Sequence, residues 1–158
     1  MSQRLAIAPK SPPRVAYGVP LPADALESEL EDLVLLHVNC LPYARLWRNK
    51  EHHFTRPDGS RVYIPGLAKG SADLIGFVEC SLFHVAVFTA IELKQPGSGK
   101  KPRPDQAEWL RFTRDHRCAV GWTDSLRGAL EIVANARRVE LEDLIADIEH
   151  EKGRKVAL

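Results

Sequence analysis

Glu92 and Lys94 are separated by one residue at the end of an apolar stretch, and Asp73 precedes an earlier apolar stretch. Residues two apart on a strand point to the same face, so we expect the Glu92 and Lys94 side chains to project together. A carboxylate beside a strongly apolar strand needs a compensating partner, and a divalent cation is one such partner. Mg²⁺ prefers oxygen ligands and keeps several waters, so one or two carboxylates suffice to bind it.

This spacing assigns a chemical role to each group. Asp73 would lie beside Glu92 on an antiparallel neighbouring strand, and the carbonyl of Leu93 would supply a third oxygen. A metal lowers the pKa of bound water and neutralises charge on a phosphate. Lys94 would position the attacking water or stabilise the transition state. An ordinary surface ion pair on a generic α/β protein stays open, since this spacing is common by chance.

Hydrophobic periodicity and turn residues predict the elements that position these groups. The predicted helices cover about 24–38, 105–116, 125–137 and 139–150, and the predicted strands cover 43–49, 61–64, 72–80, 83–93 and 119–122. Asp24 and Ser125 are the predicted N-caps of the first and third helices. Strand 83–93 contains no proline or glycine, and we expect it to be central and buried on both faces. The order of elements indicates an α/β fold with a mixed sheet flanked by helices.

Composition places the chain among ordinary globular proteins. Its 158 residues are 44% hydrophobic and 27% charged, which predicts one domain, assigned to residues 24–158. Residues 1–23 hold five of the eleven prolines and are predicted to form an extended or flexible arm. The sequence shows no apolar run long enough for a membrane span and no signal-peptide pattern, so a cytoplasmic location is expected. The three cysteines form no CxxC pair and indicate neither a zinc site nor a disulfide framework.

Three segments carry a family resemblance: GSADLIG at 70–76, IELK at 91–94 and QAEWL at 106–110. In this order and at this spacing they resemble the VRR-NUC branch of the PD-(D/E)xK nuclease superfamily. The WRN segment at 47–49 also looks like the first strand of that family, and the likeness covers residues 27–135. Two departures are that Ala72 stands where a proline often precedes the aspartate, and that the valine-arginine-arginine signature is absent after Trp122.

The resemblance implies a restriction-endonuclease-like αβββαβ core and a site for Mg²⁺ or Mn²⁺. Asp73 and Glu92 would bind the metal, Lys94 would be the catalytic lysine, and Gln106 would face the site from the start of a helix. The family also places a glutamate on the first helix near the metal, where Glu27 fits best.

Two other glutamates fall in the same window of the first helix. Glu31 shares a face with Glu27 one turn further on and remains an alternative to it. Glu29 lies about 160° round the helix from Glu27 and should point elsewhere.

By the same resemblance, the chain is expected to be a metal-dependent DNA endonuclease. Standalone members look like dimeric, structure-specific enzymes that act on branched DNA such as four-way junctions, and a phage or prophage origin is suggested. The implied partners are branched DNA and a second copy of the chain, without a membrane or a small-molecule cofactor. Two alternatives stay open: a catalytically silent DNA-binding module, and a sequence-specific or nicking nuclease.

The charge distribution is more informative than the net charge of +1. Residues 24–32 carry five acids and no base, whereas residues 94–103 carry four bases and no acid. Lys100, Lys101 and Arg103 are therefore predicted to contact DNA phosphates beside the site, against the alternative of a solvated loop.

The remaining candidates have weaker signals. Arg48 and Asn49 are predicted either to hold the scissile strand or to have a structural role at a strand end. His52 and His53 are interpreted as solvated loop residues. The three tryptophans are interpreted as core residues rather than base-stacking platforms, and they are Trp47, Trp109 and Trp122.

Overall fold

The computed structural model of the protein describes residues 17, 21–22, 24–50, 52–64 and 66–156, without the side chains of 52, 53, 155 and 156. The helices are α1 (Glu27–Val38), α2 (Pro104–Asp115), α3 (Leu126–Arg137) and α4 (Leu141–Val156). The strands are β1 (Ala44–Arg48), β2 (His52–Thr55), β3 (Arg61–Ile64), β4 (Leu74–Glu79), β5 (Ala86–Leu93) and β6 (Ala119–Thr123). Most of the predicted arm, 1–23, lies outside the described residues.

Four strands form the main sheet in the order β1-β4-β5-β6. The β1–β4 and β4–β5 pairs are antiparallel and the β5–β6 pair is parallel, because α2 provides the crossover between the last two strands. The predicted α/β class, with a mixed sheet flanked by helices, is confirmed. β2 and β3 pair with each other as a separate antiparallel hairpin.

Alternation along the strands divides the apolar residues between the two faces of the sheet. On one face, Ile91 and Leu93 of β5 pack in a large core with α1, α3 and α4. On the other face, Ala90 packs in a smaller cluster with Leu110 of α2. Glu92 alternates with Leu93 and therefore shares the face that α2 covers.

The first helix begins later than the sequence indicated. α1 starts at Glu27 and its N-cap is Leu26, so the prediction of Asp24 as N-cap is wrong. The Leu26 N–H donates to Glu29 Oε2 at 2.8 Å, which satisfies a backbone group at the helix start. The predicted cap of α3 is confirmed, because Ser125 Oγ accepts from the Gly128 N–H.

β5 is central, as predicted, but it begins at Ala86 rather than at residue 83. The antiparallel link from β4 needs a turn there, and His84 adopts a left-handed backbone with φ of 50°. Only the second half of the strand, from Thr89, is buried on both faces.

The β2–β3 hairpin corrects the interpretation of His52 and His53 as loop residues, since both lie in β2. The hairpin turns at the proline-aspartate-glycine segment, residues 57–59. Asp58 Oδ1 accepts from the Ser60 N–H at 2.8 Å, and Gly59 has a φ of +82°.

Within the described part of the chain, no helix is both long enough and apolar enough to cross a membrane. Cys80 is buried, whereas Cys40 and Cys118 are half-buried.

Candidate metal-binding site

Asp73 lies directly before β4, and the strand register brings it beside Glu92 of β5. The last paired residues of the two strands are Leu74 and Ile91, so the next pair in an antiparallel ladder is Asp73 with Glu92. Asp73 Oδ2 accepts a hydrogen bond of 2.8 Å from the Leu93 N–H, which fixes the carboxylate at this position. The predicted juxtaposition of the two carboxylates is therefore present.

Glu92 is almost completely buried, with 1% of its surface exposed, and its two carboxylate oxygens differ. Oε1 accepts from the ammonium of Lys94 and from the side-chain amide of Gln106. Gln106 Oε1 in turn accepts from Lys94 Nζ at 3.3 Å and from the Arg103 N–H at 2.9 Å. Oε2 has no hydrogen-bond donor among the described residues.

A buried carboxylate oxygen without a donor carries a desolvation cost that a cation would remove. Glu92 Oε2 and the neighbouring Asp73 carboxylate therefore fit a divalent cation that takes oxygen ligands and retains water. The Leu93 side chain is buried in the core on the opposite face, so only its backbone can contribute. The described residues contain no group of three or more His, Cys, Asp or Glu arranged to hold a metal, so the protein would provide two side-chain ligands.

The pKa values of both carboxyls reflect this environment. Burial, and then the neighbouring Asp73 charge, raise the pKa of Glu92 to about 7, although its hydrogen bond from Lys94 acts in the opposite direction. Burial also raises the pKa of Asp73, against the lowering effects of the Leu93 N–H and of Lys94. Ionisation of both neighbouring carboxyls is disfavoured in this environment, and a bound cation would relieve that electrostatic cost.

The helix-1 glutamates have different surroundings. Glu31 is buried and pairs with Arg48 Nε at 2.5 Å and with Lys50 Nζ at 3.1 Å. Glu27 is exposed and makes no ion pair within the described residues, and burial, followed by the nearby Asp73 charge, raises its pKa. Glu27 thus faces the carboxylate pair, whereas Glu31 neutralises the bases at the end of β1.

Asn49 and Gly70 hold the segment that leads to Asp73. Asn49 Nδ2 donates to Ser71 Oγ at 2.7 Å and to Ala72 O at 2.9 Å, and Oδ1 accepts from the Leu67 N–H. These contacts favour the structural alternative for Asn49.

Gly70 joins the same segment to the start of α2. It has a φ of +78°, and a Cβ there would come within 2.7 Å of the Asp105 carbonyl oxygen. Only glycine combines this backbone conformation with such close packing, so Gly70 couples the position of Asp73 to that of Gln106.

Arg48 is paired with α1 rather than left open to a ligand. Its guanidinium contacts both Glu31 and Asp32. These ion pairs tie the end of β1 to α1, and they give Arg48 a structural role in this state of the protein.

The basic loop, defined as residues 94–103, runs from the end of β5 to α2. Lys100 and Lys101 are exposed and have no carboxylate partner within the described residues. Lys100 lies close enough to Glu27 to lower the pKa of that carboxyl. Arg103 pairs with Asp105 at 3.3 Å. The loop therefore presents two unpaired lysines beside the carboxylate site.

The interpretation of all three tryptophans as core residues is wrong for two of them. Trp47 is 53% exposed and Trp122 is 43% exposed, whereas Trp109 packs against the smaller cluster under α2. The alternation in β1 carries a signal for this result, since Trp47 shares a face with the exposed Arg45.

Lys50 lies near the candidate site, although its sequence pattern did not predict a role there. It neutralises Glu31, and its only signal in the sequence is its place directly after the WRN segment.

Comparison of the chain with protein-family models, with curated proteins and with solved structures found no match.

Proposed function

We propose that the protein is a metal-dependent deoxyribonuclease that hydrolyses phosphodiester bonds with Mg²⁺ or Mn²⁺ bound at Asp73 and Glu92. The observation that carries this proposal is the paired carboxylates, one of which has a buried oxygen that receives no hydrogen bond from the described residues. Lys94 and Gln106 orient the other oxygen. A structural ion pair between Glu92 and Lys94 would not require Asp73 as an adjacent, half-buried acid.

In this proposal the bound cation would activate water and neutralise phosphate charge. The chain's own residues supply position and charge. Gln106 fixes the side chains of Glu92 and Lys94 relative to each other, because its amide forms a hydrogen bond with each of them. The Lys94 side chain is 12% exposed, and its ammonium would hold a water or a phosphate oxygen beside the carboxylates. Glu27, which is exposed, would add a negative charge on the solvent side of the two carboxylates.

The proposed fold family is the restriction-endonuclease-like VRR-NUC branch, which the sequence motifs resemble. The element order supports it, since α1, β1, β4, β5, α2 and β6 follow an αβββαβ sequence once the β2–β3 hairpin is treated as an insertion. We further propose a homodimer that acts on branched DNA. A small chain has few elements for reading base sequence, and a symmetric dimer can recognise DNA shape instead.

A cleavage assay tests the activity. Labelled linear, flap, nicked and four-way-junction DNA are incubated with Mg²⁺, Mn²⁺ or EDTA and with wild type, Asp73→Ala or Glu92→Gln. We expect metal-dependent cutting by wild type only, with the junction cut fastest. The matched control is Glu140→Gln, which removes an exposed carboxylate at the start of α4 and should cut like wild type.

Metal binding is measured separately by calorimetric titration of the wild type and both variants with Mn²⁺. We expect heat of binding for wild type and its loss in Asp73→Ala. The proposal fails if wild type cuts no substrate with either metal, or if Asp73→Ala cuts as well as wild type. Mn²⁺ binding and DNA binding without cleavage would instead identify a silent binding module.

A further inference from the structure

An exposed aromatic pair lies on the same sheet face as Glu92. Trp47 of β1 and Phe77 of β4 have ring centroids 5.9 Å apart, and they are 53% and 40% exposed. Grouped, exposed aromatic side chains on one face of a sheet are typical of a surface that contacts a ligand or partner.

The register relates this pair to the carboxylates. Trp47 pairs with Ile75, which pairs with Ala90, and these residues form the row of side chains next to Asp73 and Glu92. Two residues along a strand span about 7 Å and neighbouring strands are about 4.8 Å apart. The Trp47 ring thus lies within reach of a nucleotide next to a phosphate held at the carboxylates.

Helix α2 covers only part of this face. It packs through Leu110 and Trp109 over Ala90 and Val120, on the β5 and β6 side of the sheet. On the β1–β4 side, Trp47 and Phe77 remain exposed, and β1 is an edge strand of the main sheet. The open surface is therefore continuous with the candidate site and accessible from the sheet edge.

The charge beside the aromatic pair indicates which occupant it fits. Arg45 is the direct cross-strand partner of Phe77 and is exposed. It donates to the Asn39 carbonyl at 2.7 Å but pairs with no carboxylate among the described residues. A positive charge next to aromatic rings suits a ligand that combines phosphates with flat bases.

We infer that Trp47 and Phe77 are a stacking platform for unpaired nucleobases of a DNA strand whose phosphate enters the carboxylate site. This inference rests on the proposed nuclease function and narrows its substrate to branched DNA with unpaired nucleotides beside the cut, such as a flap or the opened centre of a junction. Arg45 contacts the phosphate that links the stacked bases. Stacking on aromatic rings is tolerant of base sequence, because every base has a flat face.

Binding in EDTA tests the platform independently of cleavage. The probes are an oligodeoxythymidylate of roughly ten nucleotides and a blunt duplex of the same length. We expect the oligonucleotide to quench the tryptophan fluorescence of the full chain, and Trp47→Phe to reduce that quenching. Trp47→Ala should weaken oligonucleotide binding about tenfold and leave duplex binding within about twofold.

Phe83→Leu is the matched control, because it alters a 72% exposed aromatic residue in the β4–β5 turn, at the opposite end of the strands from Asp73. It should bind both probes like wild type. Equal oligonucleotide affinity for Trp47→Ala and wild type would overturn the inference. So would an equal loss for both probes, or dissociation of a dimer by Trp47→Ala with unchanged oligonucleotide affinity.

The stacking platform and the nuclease function can each be refuted without refuting the other. Metal-dependent cleavage that is unaffected by Trp47→Ala on every substrate would refute the platform and leave the nuclease. Oligonucleotide binding through Trp47 without any metal-dependent cleavage would refute the nuclease function.

Discussion

Glu92 has an asymmetric environment, in which donors reach one carboxylate oxygen and none of the described residues reaches the other. A residue with only a structural role would be expected to have both buried oxygens satisfied. The same burial that leaves Oε2 without a donor also raises the pKa of the group. Stability without metal should therefore depend on the protonation of this side chain.

We predict that the metal-free protein loses stability as pH rises from about 5 to 8. The folded-state pKa of Glu92, about 7, lies above the ordinary value of 4.5, so the folded state binds the proton more tightly than the unfolded state. The stabilisation is complete below the ordinary value and is lost as pH rises through the folded value, by up to about 1.4 kcal/mol per pH unit for one carboxyl. Asp73 acts in the same direction.

Urea unfolding in EDTA at several pH values measures this dependence. Glu92→Gln should flatten it, because glutamine does not titrate, while Glu140→Gln should leave it unchanged. An identical pH dependence in Glu92→Gln and wild type would contradict the raised pKa.

The two roles predicted for Asn49, holding the scissile strand and supporting the structure at a strand end, can be distinguished by substitution. Asn49→Ala removes three hydrogen bonds to the segment before Asp73, and we expect a loss of about 1–3 kcal/mol in unfolding free energy and slower cleavage. DNA affinity should be nearly unchanged. Asn39→Ala is the matched control, since Asn39 makes two similar bonds to Leu46 in the middle of β1.

Asn39→Ala should destabilise the protein comparably but reduce cleavage less. If Asn49→Ala weakens DNA binding and leaves the unfolding free energy unchanged, then Asn49 contacts DNA and the structural assignment is wrong. Denaturant unfolding and DNA-binding titrations on the same samples give both quantities.

At the scale of elements, the site depends on the contact between the segment before β4 and the start of α2. We predict that Gly70→Ala costs more than Gly59→Ala. Both glycines have positive φ, of +78° and +82°, and the left-handed conformation costs alanine about 1–2 kcal/mol. Of these two positions, a Cβ added at Gly70 would clash with the Asp105 carbonyl, whereas a Cβ added at Gly59 meets nothing within 4 Å.

Subtracting the loss of unfolding free energy in Gly59→Ala from the loss in Gly70→Ala gives the contribution of the contact between this segment and α2. Gly70→Ala should also slow cleavage, because displacement of the segment moves Asp73 relative to Gln106. Equal destabilisation by the two substitutions would show that this contact does not constrain the site.

Element types were predictable from the sequence where burial imposes a period, as in β5 and α3. The two-residue alternation of the strands, extended to the ends of β4 and β5, also predicted that Asp73 lies beside Glu92. β2 was missed because it lies outside the main sheet, where no core imposes a pattern on HHFT. The hydrophobicity of Trp47 predicted burial, whereas its alternation with the buried Leu46 places it on the exposed face of β1.

Other features of the site depend on contacts distant in sequence. The roles of Asn49 and Gly70 follow from Ser71 and Asp105, which no local pattern connects to them. The pairing of Glu31 with Arg48 likewise joins α1 to β1. Residue identity could indicate that these positions have special backbone or polar requirements, but only the fold identifies the partners.

At the scale of the whole molecule, a net charge of +1 conceals an uneven distribution around the site. Glu31 is matched by Arg48 and Lys50, so the acidic start of α1 is partly neutralised. Lys100 and Lys101 remain unpaired in the basic loop. Because DNA binding releases counterions, unpaired lysines contribute to affinity in proportion to the phosphates they contact.

We predict that reversing both charges, with Lys100→Glu and Lys101→Glu together, weakens duplex DNA binding and flattens its dependence on salt. Each lost phosphate contact should reduce the slope of log affinity against log salt by about one. Binding titrations at several salt concentrations in EDTA measure the slope. Arg114→Glu, at the far end of α2, is the control and should change the slope less. Unchanged affinity and slope in the double variant would mean that the loop is only solvated, and that phosphates approach the carboxylates from the β1 side.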